Sequence, residues 1–570
     1  MTLRIKVLTL VFLVVFSGLI AKLFSWQILR GKELSVAARG QYESGRAVSA
    51  PRGNILTSDN SWLAARGDAW LVYASLPDLK DNPKTIANEL APYFVEDKND
   101  KKGLLDEVDR ITGLLSKKEV VWVPLRHKVS TDAKKSLEAL AIPGIGFQAE
   151  ETRIYPEASV AAQLLGFVGK DKDGNDQGYF GLEGYYNLVL SGKPGFVGRE
   201  KDAKGVPILF GDSTQVSAIG GVGLVTHIDK TMQLAVEQKL KNGIERYGAS
   251  GGSAIVMDPT SGAILAMSSF PSYDPEKYSQ FDTSLFKNPV VSSSFEPGSV
   301  FKIIIMASAL DAGVVKPETR CDICSGPLKV DKYYIETWDG KYYPDSTMTD
   351  IIVHSDNIGM SFVGQKMGAD KLYDYLNKFG IGKLTGIDLQ GEATPPLRDK
   401  GTWNIVDLAT ATFGQGIAIT PVQLIRAGAA IANGGRLVAP QVVGALQGEG
   451  WKEGIDPKID GRIISEKAAK EITAMMVEAA KHGESQWTDT PGFKVAGKTG
   501  TAQIPIAGHY DPENTIASFI GFAPFDKPKF IMLVTLQQPK TSPWASETAA
   551  PLWYSMAKDL FMYFGIQPGS

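Results

Sequence analysis

Residues 2–29, TLRIKVLTLVFLVVFSGLIAKLFSWQIL, are apolar except at their margins. Ile5 to Leu23 comes close to the roughly 20 residues that cross a bilayer, so this part of the chain is committed to lipid before any fold is considered. Lys6 and Lys22 stand near the two ends, where long side chains snorkel to the interface, and Trp26 suits the headgroup level. A cleaved signal peptide is the competing reading. The stretch lacks a convincing small-x-small cleavage site and a lipobox cysteine, which favours an uncleaved anchor. Arg4 and Lys6 point to an N-terminus inside, although Arg30 and Lys32 on the other flank weaken that rule. Everything after about residue 30 is then expected outside the cytoplasm.

The chain of 570 residues exceeds what one hydrophobic core serves, and its 44% hydrophobic and 22% charged residues describe ordinary globular protein. A net charge of -3 gives no sign of a nucleic-acid partner. Residues 1–30 form the tail and anchor. Residues 31–225 read as a loop-rich, β-rich module in which the charged run 96–110 is a solvated helix face. Residues 226–566 change to alternating sheet and helix. LVTHIDKTMQLAVEQKLKNGIERYG is a strand and a long amphipathic helix, and SAIVMDPTSGAILAM is a β-hairpin. FKVAGKTGTAQI, TIASFIGFAP and FIMLVTLQQP are three further strands, and ETAAPLWYSMAKDLFMYF is a closing helix. First and last segments thus share one sheet, with a mostly helical middle. The two cysteines, Cys321 and Cys324, sit in a polar, loop-like context; a local disulfide and unused thiols both remain open, and no metal-ligand spacing accompanies them.

Ser299 and Lys302, in FEPGSVFKIIIM, are three residues apart, on one face of a helix that Pro297 and Gly298 suit as a start. A serine hydroxyl attacks only when a base takes its proton, and lysine is such a base only when neutral. Burial among the isoleucines and a second nearby cation both favour the neutral form. Alone, Ser-x-x-Lys is weak, because a solvated helix turn has the same spacing. His354-Ser355-Asp356-Asn357 adds a hydroxyl to relay a proton and a carboxamide to hold a substrate amide. Lys498-Thr499-Gly500-Thr501 lies on an expected strand, with a cation for a carboxylate and a glycine that lets a substrate backbone approach. Asp356 is read as a turn residue, His354 as structural, and Glu296 as shaping the helix start. The five histidines show no metal spacing, and no cofactor is expected.

In this order the motifs S-x-x-K, S-D-N and K-T-G are the set shared by penicillin-binding proteins and class A β-lactamases. Over nearly its whole length the chain resembles the class B penicillin-binding proteins. PRGNILTSDNSWLA, ETRIYP and GYFGLEGYYNLVLSGKPG are similar to that family's non-catalytic motifs, with Arg52, Gly53, Arg153, Tyr155, Pro156, Gly178, Gly181 and Glu183 at matching positions. ILAMSSFPSYDP, FGQGIAITPVQL and AIANGGRLVAP also match. Two departures stand out: Ser58-Asp59-Asn60-Ser61 replaces the usual acidic-basic-Asn-Gly turn, and the glycine that follows Tyr-Pro is missing.

The resemblance implies an α/β multidomain protein: a transmembrane helix, an irregular β-rich pedestal, and a transpeptidase domain with an antiparallel sheet flanked by helices. It implies a monofunctional D,D-transpeptidase in a bacterial cytoplasmic membrane, acting on D-Ala-D-Ala stem peptides and acylated by β-lactam antibiotics. Ser299 is then the nucleophile, Lys302 the base, and Ser355 the relay to the leaving amine. Asn357 holds the donor, while Lys498, Thr499 and Thr501 bind its carboxylate. The N–H groups of Ser299 and Thr501 form the oxyanion hole. With no room for a glycosyltransferase domain, a separate membrane polymerase of the shape, elongation, division and sporulation (SEDS) group is the expected partner, among other division or elongation proteins. FEPGSVFK and the compact length are more similar to the division type than to the elongation type, which is the alternative. A β-lactamase needs a water-activating group that is not identified; for a non-enzymatic β-lactam sensor or scaffold, the three intact motifs give no support to a loss of catalysis, and scaffolding can coexist with it.

Overall fold

A computed structural model of the chain describes residues 3–29, 43–95, 97–118, 120–156, 160–200, 213–488, 490, 492–506 and 509–569. Arg30, Lys32, Glu96 and Glu157, the last standing where the glycine after Tyr-Pro is missing, lie outside the described residues. The chain divides into two compact units, Met1–Arg52 with Ser191–Gly221, and Gly53–Leu190 with Val222–Ser570.

In the first unit the apolar run is a helix, α1 (Leu3–Phe24), followed by one wider turn, Ser25–Leu29. Its large side chains from Leu8 to Phe24 are exposed, as expected of a surface made for lipid. Lys22 Nζ lies 5.1 Å from the Trp26 ring centroid. The same unit holds a three-stranded antiparallel sheet of Glu43–Val48, Gly195–Glu200 and Ser213–Val216.

The second unit contains two larger sheets. In the first, Trp62–Ser75 pairs with Trp122–Val129 and Ile145–Ile154, and the sheet runs on through Ile55–Leu56 and Gly223–Thr226 to Val443–Gly448 and Trp451–Gly454. The expected charged helix is Lys101–Leu115, capped by Asp100; Val108, Ile111 and Leu115 face the local core and the charges face solvent. Arg153 is buried against Glu183, with Nε donating to Oε1 at 2.6 Å and a terminal N–H donating to the Gly53 carbonyl at 2.8 Å. A Cβ on Gly53 would lie 2.2 Å from the Val222 carbonyl oxygen, so only glycine fits there. At the departing turn Asn60 takes the left-handed φ of 64°, and Ser61 N donates to Thr57 Oγ1 at 2.9 Å. Asparagine tolerates that conformation, so the turn closes without glycine.

The C-terminal half begins with α2 (Lys230–Tyr247), capped by Asp229, whose side chain accepts from Met232 N. The hairpin β1 (Gly251–Met257) and β2 (Ile264–Phe270) follows. α3 (Lys302–Asp311), α4 (Met348–Val353), α5 (Asn357–Lys378) and α6 (Glu466–His482) fill the helical middle. β3 (Ala496–Ile506), β4 (His509–Ala523), β5 (Phe530–Gln537) and α7 (Ala549–Tyr563) close the chain. The sheet order is β2-β1-β5-β4-β3, all antiparallel. Successive strand residues face opposite sides. Ala254 and Val256 pack with α2, α7 and Trp553, whereas Ile255 and Met257 pack with the isoleucines of α3. Both faces are covered, which explains strands that are apolar throughout.

Cys321 and Cys324 form a disulfide between α3 and α4. Contrary to the expected polar loop setting, both cysteines are buried in the main core. Pairing removes the thiol hydrogens and leaves an apolar unit that packs with its neighbours.

Candidate active site

The turn that carries Ser299 is a 3-10 helix, Gly298–Phe301, and the α-helix begins only at Lys302. This differs from the single α-helix start expected, and it sharpens the geometry. In a 3-10 turn residues i and i+3 eclipse, so Ser299 and Lys302 stand on one face of the turn. Gly298, at φ 58°, donates its N–H to the Gly414 carbonyl at 3.1 Å. A Cβ on Gly414 would lie 2.3 Å from Gly298 O, so the FGQG segment presses directly beneath the turn.

Lys302 is fully buried. Its Nζ donates to Ser355 O at 2.5 Å, to Asn357 Oδ1 at 2.8 Å and to Ser355 Oγ at 3.3 Å. Ser355 sits between α4 and α5 with φ 56°, a conformation that aims its hydroxyl and carbonyl at the same lysine. Lys498 Nζ reaches the same Ser355 Oγ at 3.0 Å from β3. Two lysine nitrogens therefore address one hydroxyl oxygen, which leaves its own hydrogen free to be donated elsewhere. Asn357 donates from Nδ2 to Glu336 O at 3.0 Å, so its carboxamide is held at both ends.

Burial is the largest influence on Lys302, and the positive charge of Lys498 adds to it; together they bring the ammonium from 10.5 down to about 7. Glu484 and Asp356 pull in the opposite direction. Lys498 is also lowered by burial, against the opposing charge of Glu484. The expectation that apolar surroundings and a second cation neutralise Lys302 has this physical basis.

Thr499 is buried, and its Oγ1 accepts from Lys498 Nζ at 3.1 Å and donates to Glu484. Thr501 Oγ1 accepts from Ala545 N at 3.0 Å. Ser299, Asn357 and Thr501 line one cavity of about 90 Å³. β3 is the edge strand of its sheet, so half of its backbone groups face away from β4. A Cβ on Gly500 would lie 2.8 Å from Val300 Cγ1 and from Ser518 Oγ, so its smallness also serves the approach of the serine-bearing turn.

Asp356 caps α5 by accepting from Ile358 N at 2.8 Å, and His354 stacks on Tyr343 with centroids 3.9 Å apart. Glu296, two residues before Gly298, accepts from Gly416 N at 3.1 Å and from Tyr510 OH at 3.0 Å, which ties the Gly416 segment to the start of β4. Glu484, Trp338 and Trp544 also line the cavity without having stood out in the sequence. The two indoles meet at 5.3 Å between centroids. Their one signal is a tryptophan in a polar stretch, ETWDG and SPWAS; Glu484 has none.

The family pattern described as "Penicillin binding protein transpeptidase domain" matches residues 252–558, and "Penicillin-binding Protein dimerisation domain" matches residues 47–225. The chain belongs to the class B penicillin-binding proteins. This penicillin-binding protein is 31% identical over 557 residues to Stage V sporulation protein D of Bacillus subtilis, covering 95% of this chain and 83% of that one. It is 30% identical to the peptidoglycan D,D-transpeptidase FtsI of Escherichia coli K12, covering 78% and 73%. It matches the crystal structure of Penicillin binding protein 3 from Mycobacterium tuberculosis complexed with aztreonam, with TM-score 0.69 and 25% identity over 92% and 98% of the two chains. Within the class it sides with the division type. Among the described residues one helical span, Leu8–Ile28, is long and apolar enough to cross a membrane.

Proposed function

We propose that the protein is a serine-type D,D-transpeptidase that cross-links peptidoglycan stem peptides during septal wall synthesis. The observation that carries this reading is a fully buried lysine, lowered to about 7, one 3-10 turn from a serine at the cleft. Ser299 Oγ bonds to the carbonyl carbon of the penultimate D-Ala while neutral Lys302 takes the hydroxyl proton. Ser355 passes its own proton to the departing nitrogen, the amide C–N bond breaks, and terminal D-Ala leaves. Ser355 is reprotonated from the lysine side. An amine of a neighbouring stem then forms a new amide bond, the ester C–O bond breaks, and Ser299 regains its hydrogen.

Backbone N–H groups of Ser299 and Thr501 stabilise the oxyanion in both steps. Asn357 orients the donor peptide through the carboxamide that Lys302 also holds. Lys498 and Thr501 bind the donor carboxylate. Gly500 keeps this strand close to the nucleophile, and Thr499 supports Lys498. β-Lactams acylate the same serine. Residues 1–30 serve as tail and anchor in the bacterial cytoplasmic membrane, 31–225 as pedestal, and 226–566 as the extracytoplasmic transpeptidase domain. A SEDS-type polymerase supplies the glycan strands.

The test combines the full chain in detergent with such a polymerase and lipid-linked precursor carrying pentapeptide stems. Cross-linked products and released D-Ala are expected, both abolished by penicillin. Penicillin-reactive protein that leaves the stems uncross-linked and intact refutes the proposal.

A further inference from the structure

A threonine hydroxyl carries one hydrogen. In Thr499 it is committed, because Oγ1 accepts from Lys498 Nζ and donates to Glu484 Oε2. Glu484 opens the loop after α6 and is held there by tight backbone packing. Gly483 N donates to Ala479 O at 3.0 Å, and a Cβ on Gly483 would lie 2.4 Å from Ala479 O and 2.7 Å from Val353 O. The half-buried carboxylate lines the same cavity as Ser299 and Thr501. Its charge acts on both buried lysines, opposing the fall of each.

The arrangement has a consequence for an anionic donor. With Lys302 neutral, the positive charge of Lys498 is already matched by Glu484, and Thr499 has no hydrogen left for a second carboxylate. An arriving carboxylate meets a cation that already has a carboxylate acting on it rather than an unopposed one.

We propose that Glu484 is a specificity-determining residue of the donor subsite. By holding the Thr499 hydrogen and balancing Lys498, it weakens the preference of the cleft for acyl donors that end in a carboxylate. Recognition then rests on Lys498, on the Thr501 hydroxyl and on the uncharged part of the donor. The inference depends on the Ser299 acyl-enzyme reading above.

The test uses two thioester donors, one with a thioglycolate leaving group that ends in a free carboxylate and its carboxamide analogue. Thiol release is measured with the full chain in detergent. Comparing the two donors on one enzyme cancels any difference in folded fraction. Glu484→Gln keeps an acceptor for Thr499 and removes the charge, so the carboxylate-to-carboxamide ratio of kcat/KM should rise by roughly tenfold. The acid limb of the carboxamide reaction should also move to lower pH, because Glu484 holds Lys302 up. If Glu484→Gln is unstable, Glu484→Ser must give the same direction. An unchanged or lower ratio, with thiol release still abolished by Ser299→Ala, overturns this inference alone. Thiol release that persists in Ser299→Ala overturns the underlying reading and this inference with it.

Discussion

Replacing Lys498 by methionine removes a charge and keeps an unbranched apolar stem. In the wild type both Nζ atoms reach Ser355 Oγ, Lys302 at 3.3 Å and Lys498 at 3.0 Å. The two nitrogens thus lie within about 6 Å of each other, and at an effective dielectric constant of about 20 one unit charge acts on the other with roughly 3 kcal/mol, or about two pKa units. Lys302 accepts a proton only when neutral, so its active population grows as pH rises through its pKa. In the wild type the acid limb of acylation should centre on about 7. In Lys498→Met burial still depresses Lys302, while Glu484 and Asp356 still raise it. Its limb should therefore move up by about one to two units. Loss of a carboxylate ligand lowers the rate at every pH, so the position of the limb carries the test and its height does not. The assay is the rate of fluorescent-penicillin labelling of the full chain in detergent between about pH 5.5 and 9.5. A limb that stays near 7 in the variant refutes the argument that the second cation helps to neutralise the base.

Other perturbations address separate parts of the account. Ser355→Ala removes the hydroxyl between the two lysines and should slow acylation by about 10²-fold or more, as for loss of a proton-transfer group; a rate within a factor of three of wild type argues against the relay. Gly500→Ala puts a methyl group 2.8 Å from Val300 Cγ1 and Ser518 Oγ. It should cost about 1–3 kcal/mol as overpacking and slow labelling by displacing the serine-bearing turn; unchanged urea midpoint and labelling rate count against that packing. Glu183→Ala leaves the Arg153 charge buried without its carboxylate and should lower unfolding free energy by about 3–5 kcal/mol in urea titration; a loss below about 1 kcal/mol contradicts the ion pair's role.

Much of the catalytic half is legible because its signals are local. The two apolar runs within 251–270 and the Asp258-to-Gly262 turn between them specify the hairpin, and Ser299 and Lys302 share a face whether the turn is α or 3-10. What joins the motifs is not local. Lys302 finds Ser355 and Asn357 more than fifty residues away, and only the packing of α3 against α5 brings them together. Glu484 reaches Thr499 from a loop whose path is set by Gly483 against Val353, which no spacing rule encodes. Gly500 shows the same limit. A glycine on a strand signals close approach, but the sequence does not say that the approaching group is Val300. Strands Val443–Gly448 and Trp451–Gly454 likewise join the sheet of Trp62–Ser75, a long-range pairing that their short, partly exposed sequences do not announce.

The central claim is that Ser299 is the nucleophile activated by a neutral Lys302. Its most direct measurement is mass spectrometry of the full chain after brief exposure to benzylpenicillin, with the modified peptide sequenced. The account predicts one penicilloyl group on Ser299, absent from Ser299→Ala and formed orders of magnitude more slowly in Lys302→Ala. An adduct on another residue, or one that persists in Ser299→Ala, contradicts it.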